Sequence, residues 1–115
     1  MKLDTFTRQY LITALWSSLD GEGEPLDANY DIEDLSEEAL NSSIEDCKTF
    51  QERNWEYILG RESDAGHDFW LTRCGHGCGF FETSDWPEHS KELMKSCSEF
   101  GEVYLYVGDD GKLYL

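Results

Sequence analysis

The chain has 115 residues, of which 25 are Asp or Glu and 9 are Lys or Arg, so its formal net charge is −16. Because such a surface repels phosphates, the charge argues against direct binding to DNA, RNA or an anionic membrane. Aromatic residues make up 14% of the chain, which is more than a disordered acidic tail carries. The length fits a single domain over residues 1–115.

The chain begins with a predicted helix and an acidic connection. Phe6, Tyr10 and Ala14 recur at helical spacing and predict a helix over residues 5–19, with Asp4 or Thr5 as its N-cap. Two glycines and a proline follow within residues 20–25 and stop the helix. Residues 20–35 are therefore expected to form an irregular acidic connection.

A second, amphipathic helix is predicted from Ser36, its N-cap, to about Leu59, with Gly60 as its stop. One side of its helical wheel is mostly apolar and consists of Leu40, Ile44, Cys47, Gln51, Trp55 and Ile58. Acidic residues occupy the far side: Glu38, Glu45, Glu52 and Glu56.

The second half of the chain suggests two hairpins separated by a helix. Residues 67–73 and 79–83 are short, aromatic-rich segments around a Gly75-His76-Gly77 tip, and they predict a first hairpin. A third helix is expected from Asp85 to Gly101, and the alternation over residues 103–107 with the 110–111 Asp-Gly turn predicts a second hairpin. The expected fold is α+β, an antiparallel four-stranded sheet from two hairpins packed with about three helices, in the order α-α-β-β-α-β-β.

The acidic residues are concentrated in one segment. Residues 20–46 hold 11 acids and no Lys or Arg, and such crowding is unfavourable because like charges repel over the screening length of about 8 Å. One interpretation is a surface that binds a basic protein site and imitates nucleic-acid phosphates; another is a solvated helix face with an acidic linker. The predicted partner-binding residues are Asp20, Glu22, Glu24, Asp27, Asp31, Glu33, Asp34, Glu37, Glu38, Glu45, Glu52 and Glu56.

Metal binding is an alternative at two places. Asp20, Glu22, Glu24 and Asp27 resemble the alternating ligands of a calcium loop, but Pro25 replaces the turning glycine and Asp31 replaces the terminal Glu. Four residues could form a small zinc-binding or catalytic module: His67, Cys74, His76 and Cys78, with His89 as a substitute for His67. A single Cys-His-Cys group is a weak zinc signal, so the expected cofactor set is empty.

The remaining cysteines and aromatics favour packing. Cys47 and Cys97 fall on apolar helix faces and are expected in the core. The aromatics at 69–71 and 80–81 are likewise interpreted as core of the sheet, whose exposed part could let the protein self-associate as a structural module. On a strand, His67 and Asp68 would point to opposite faces, which argues against a catalytic dyad.

Residues 13–32, 65–82 and 100–115, with the helix at 36–54, resemble a family of small acidic proteins from bacteriophage, prophage and plasmid genomes. Characteristic stretches are AGHDFWLTRCGHGCGF and YLYVGDDGK. The family carries Asn and Ala at the positions of Cys74 and Cys78, which argues against zinc.

The resemblance implies no reaction and no catalytic residues. It implies a non-enzymatic accessory protein that binds and inhibits a host protein, such as a host defence enzyme or a nucleic-acid-handling enzyme. Since the N-terminal residues also lack a secretory h-region, the expected location is the cytoplasm of the bacterial host.

Overall fold

A computed structural model describes residues 2–75, 79–80 and 86–115. Within these ranges the chain forms four α-helices: α1 (Thr5–Ser17), α2 (Glu37–Ile58), α3 (Glu62–Arg73) and α4 (Ser90–Ser98). Two short 3₁₀ turns, Leu26–Ala28 and Ile32–Asp34, lie between α1 and α2. The strands are β1 (Tyr106–Val107) and β2 (Leu113–Tyr114), which pair antiparallel.

The first two helices confirm the sequence predictions. Asp4 caps α1 by accepting a hydrogen bond from the Thr7 backbone N–H at 2.7 Å. Ser36 caps α2 in the same way, with its hydroxyl 3.1 Å from the Ala39 nitrogen, and Gly60 follows the helix with a left-handed φ of 82°. Local capping chemistry and the amphipathic pattern are enough to define both elements.

The predicted first hairpin is wrong, and with it the four-stranded sheet. Residues 67–73 belong to the helix α3, and the described residues contain only the two-stranded β1–β2 sheet. Helix α3 contacts α1, α2 and α4, so Phe69, Trp70 and Leu71 are all buried although they are consecutive. A run of buried residues lacks helical periodicity, which is why it resembled a buried strand. Of the predicted strand at 79–83, residues 81–83 lie outside the described residues.

Helices α1 and α3 pack at unusually close range around Gly66. A Cβ atom added at Gly66 would overlap the carbonyl oxygen of Phe6 and lie 3.2 Å from the Tyr10 nitrogen. The missing side chain therefore allows the two backbones to touch. This contact explains a glycine in the middle of a helix, where it otherwise lowers stability.

The C-terminal part confirms the second hairpin and shortens the third helix. Helix α4 begins at Ser90, and the predicted cap Asp85 lies outside the described residues. In the hairpin, Tyr106 pairs with Tyr114 and Val107 with Leu113. The Gly111 nitrogen donates to the Gly108 carbonyl at 3.0 Å, and Gly111 takes a φ of 79°, as a glycine-ended hairpin loop requires.

The core is a cluster of aromatic rings around Phe50 of α2. Its ring stacks on Phe69 with centroids 4.2 Å apart, and it also contacts Phe6, Phe80 and Phe100. Cys47 and Cys97 are buried, as predicted, and burial raises the pKa of both thiols, that of Cys97 to about 12. Phe69, Trp70 and Phe80 are buried, as predicted, but they pack between helices, and Phe81 lies outside the described residues.

Arg73 connects the helices from inside the core. Its guanidinium donates to the Tyr10 hydroxyl at 2.8 Å, to an Asp46 carboxylate oxygen at 2.9 Å, and to the carbonyls of Phe100 and Gly101 at 3.0 and 3.1 Å. These partners belong to α1, α2 and the segment after α4. None of the helices in the described ranges has the length and apolar character that a membrane span requires.

Candidate functional site

The acidic residues predicted to bind a partner are largely free on the surface. Ten of the twelve are exposed, while Asp20 and Asp34 are half-buried. Within the described ranges, none of the twelve forms an ion pair. The carboxylates of this set, which we call the acidic surface, therefore keep their charge available to a partner.

Three acids of the connecting loop also organise its backbone. The Asp20 carboxylate accepts from the backbone nitrogens of Glu22 and Glu24 at 2.8 and 3.0 Å. Asp31 and Asp34 form a reciprocal capping box, in which Asp31 accepts from Glu33 at 2.9 Å and Asp34 accepts from the Asp31 nitrogen at 2.9 Å. These side chains explain part of the acid content by ordinary turn chemistry.

Buried contacts fix this loop to the rest of the molecule. Leu26 is fully buried, and its backbone nitrogen donates to the Ser18 carbonyl at 2.9 Å. A bridge between Leu19 and Pro25 closes the turn that carries Glu22 and Glu24. The acidic loop is irregular, as predicted, apart from its two 3₁₀ turns, and these contacts hold it against the fold.

The helical part of the acidic surface is sparser. Glu38, Glu45 and Glu52 are exposed on α2 and repeat every seven residues, which places them about 10.5 Å apart along the axis. Duplex DNA carries one charge per about 1.7 Å, so the helix alone does not reproduce phosphate spacing. Asp46 belongs to the same segment but pairs with buried Arg73, which removes it from the free acids.

The calcium alternative finds no support in the loop. Within the described ranges, which include all of residues 20–31, no group of three or more His, Cys, Asp or Glu side chains could hold a metal ion. Asp20, the first ligand of the predicted calcium loop, instead uses its carboxylate for the two backbone contacts given above.

The structure describes only two of the four residues of the predicted zinc or catalytic module, His67 and Cys74. His76 and Cys78 lie outside the described residues. The other two have separate partners, because His67 Nδ1 lies 2.8 Å from Asp68 Oδ1 and the Cys74 thiol lies 3.4 Å from the Val103 carbonyl oxygen. Burial raises the pKa of Cys74 to about 11, so the thiol stays protonated at neutral pH and is a poor nucleophile.

The prediction that His67 and Asp68 point apart is wrong. On helix α3 the two side chains meet, and the other Asp68 oxygen accepts from Trp86 Nε1 at 2.6 Å. Asp68 is buried, whereas His67 is partly exposed beside the Trp16 ring at a centroid distance of 5.7 Å. Among the described contacts of His67, no hydroxyl or thiol occupies the position that a nucleophile would need.

The C-terminal hairpin also contributes to the acidic surface, which the sequence did not predict. Glu37 and Glu38 of α2 line one concavity together with Asp110, Lys112 and Tyr114. The hydrogen bond from the Tyr114 hydroxyl lowers the pKa of the Asp110 carboxyl and raises that of Tyr114. The sequence signal for this contribution was the alternation over residues 103–106, in which Tyr104 and Tyr106 face outward while Val103 and Leu105 are buried.

Comparisons of the chain with protein-family models, with curated proteins and with solved structures find no match.

Proposed function

We propose that this chain is a non-enzymatic accessory protein of a phage or other mobile element, and that it binds a basic site on a host protein through its acidic surface. The observation that supports this is the set of exposed carboxylates without an ion pair in the described ranges. Leaving so many like charges together opposes folding, and a basic partner would relieve that repulsion.

The partner class that best fits such a surface is a nucleic-acid-handling enzyme. Its binding groove is basic because it neutralises phosphates, and carboxylates can occupy the same groove. The ordered loop supplies acids at closer sequence spacing than α2 does, with Glu22, Glu24 and Asp27 all exposed within six residues. In this proposal the loop and α2 together imitate the phosphate backbone and block the enzyme.

The proposal is tested by capture from a bacterial host lysate with matched charge variants. The combined variant Glu38→Lys, Glu45→Lys and Glu52→Lys reverses three acids of the acidic surface. The control, Glu88→Lys, Glu92→Lys and Glu102→Lys, changes the net charge equally at exposed positions elsewhere. Duplex DNA is added as a competitor.

The wild type and the control should retain the same basic protein at low salt, and the acidic-surface variant should lose it. High salt should release it because salt screens the attraction between the charges. Duplex DNA should release it because its phosphates occupy the basic site. Equal capture by all three proteins would contradict the proposal.

A further inference from the structure

Exposed Tyr106 and half-buried Tyr114 line concavities where the C-terminal hairpin meets the start of α2. A concavity of about 510 Å³ is lined by Tyr106, Asp109, Asp110 and Tyr114, among others. It meets two more at Tyr114, of about 350 and 230 Å³, which continue along the first turn of α2 past Glu38. We call these three concavities, which share Tyr114, the tyrosine groove.

The walls of the tyrosine groove are held together by backbone contacts. The Ser36 nitrogen donates to the Leu113 carbonyl at 2.8 Å, and Leu35 forms a parallel bridge with Leu113. The first turn of α2 and strand β2 are therefore fixed side by side. A ligand that bound between them would not have to assemble the site, which favours affinity.

The aromatic surface in the groove is also fixed. The Tyr106 and Tyr114 rings stack with centroids 6.0 Å apart and an interplanar angle of 25°. The Tyr114 hydroxyl donates to Asp110 Oδ2 at 2.6 Å, and Asp110 Oδ1 accepts from the Lys112 nitrogen at 3.0 Å. Even so, Tyr106 remains 52% exposed. Tyrosine is among the residues that dominate the energetics of protein interfaces.

The charge around these rings selects a cation. Glu37 and Glu38 line the groove from α2, Asp109 and Asp110 line it from the hairpin, and Lys112 also lines it. A guanidinium group stacks on aromatic faces and bonds carboxylates in a planar fork, which a compact ammonium group does not do. The combination of rings and carboxylates therefore fits arginine better than lysine.

We infer that the tyrosine groove receives an arginine side chain from a basic segment of the partner protein, packed on the Tyr106 ring beside Asp109 and Asp110, while Glu37 and Glu38 attract the same basic segment next to Tyr114. This inference rests on the proposed function and names the place where the basic partner is anchored. A second copy of this chain is the less favourable occupant, since two molecules of charge −16 repel each other.

The test is a titration of the full chain with a tetra-arginine peptide and with a tetra-lysine peptide of equal charge, followed by NMR. The arginine peptide should bind more tightly and should shift the signals of Tyr106 and Tyr114. Tyr106→Ala should weaken arginine binding about two- to fivefold, which is the size of an exposed cation–π contact, and should barely change lysine binding. Unchanged signals far from the groove would show that the variant is folded.

A matched pair of charge variants separates the groove from general electrostatic attraction. The combined change Glu37→Gln and Glu38→Gln removes two charges inside the groove. The combined change Glu22→Gln and Glu24→Gln removes two exposed charges of the loop. The groove pair should weaken arginine binding several-fold more than the loop pair.

Equal losses from both pairs, with no preference for arginine, would overturn the groove and leave the proposed function standing. Arginine binding at the groove without any salt-sensitive host partner would support the groove and contradict the proposed function. A dimer in sedimentation that Tyr106→Ala abolishes would assign the groove to a second copy and overturn the inference.

Discussion

Replacing Arg73 should reveal how much of the stability depends on one buried cation. The Arg73 side chain is only 6% exposed, and it bonds four groups from three parts of the fold. Arg73→Met preserves much of the length and apolar stem but removes all five N–H donors. The buried Tyr10 hydroxyl and the three partly buried acceptors would then lose their hydrogen-bond donor.

The expected loss follows from the surroundings of each acceptor. Tyr10 is fully buried, and each buried polar group left unsatisfied costs about 1–3 kcal/mol. The Asp46 side chain is 31% exposed, so water can hydrate its carboxylate and its share is smaller. With the Tyr10 hydroxyl as the main term and the three partly buried acceptors contributing less each, the free energy of unfolding should fall by about 2–4 kcal/mol, out of a total that is typically about 5–15 kcal/mol.

Urea denaturation followed by tryptophan fluorescence measures this loss, because Trp70 and Trp86 are buried. Arg73→Lys keeps the charge but loses the planar fork, so its loss should be intermediate. Asp46→Asn should have the smallest effect of the three. If Asp46→Asn destabilises as much as Arg73→Met, the ion pair rather than the contacts to Tyr10 and the carbonyls would carry the energy, and the reasoning would be refuted.

Two further predictions concern the contact of α3 with helix α1 and the N-cap of α1. Gly66→Ala should lower the free energy of unfolding by about 2 kcal/mol, since overpacking against Phe6 outweighs the better helix propensity of alanine. Gly21→Ala is the control because a side chain at Gly21 has open space. Equal melting temperatures for the two variants would contradict the close contact between the helices. Desolvation acts to raise the pKa of Asp4, but hydrogen bonds from Thr7 and Gln51 outweigh it and lower the value below 3.8. Asp4→Ala should therefore cost about 1 kcal/mol at neutral pH, and the difference from wild type should shrink as the pH falls below 3.8 through the folded-state pKa. A pH-independent difference would show that the charge of Asp4 does not contribute.

Helices that bury one face could be predicted from the sequence, whereas α3, which is buried on several sides, could not. Ser36 and an apolar stripe predict α2 because only one side of that helix packs against the core, although Trp55 of the predicted stripe is 57% exposed and buried Phe50 was not part of it. Helix α3 packs on several sides, so its sequence from Phe69 to Leu71 reports burial without reporting the backbone conformation. The closeness of α1 at Gly66 is likewise a tertiary contact with no local sequence signal.

The candidate site was predictable in its charge and not in its shape. Counting acids located the loop and α2, because charge needs no tertiary information. The pairing of Asp46 with Arg73 and the approach of Leu113 to Ser36 join residues far apart in the chain. Both depend on the packing of α3 and the hairpin, and the misassigned α3 concealed them. The tyrosine groove therefore could be recognised only from the fold.

The carboxylates of Asp20, Asp31 and Asp34 have a consequence for the rate of association. A disordered acidic loop would have to lose conformational entropy when a partner arrives, at roughly 1–2 kcal/mol per ordered residue. Here the turn contacts and buried Leu26 have already ordered the loop within the free protein. The long-range attraction of the exposed charges can then accelerate encounter with a basic surface without a slow folding step afterwards.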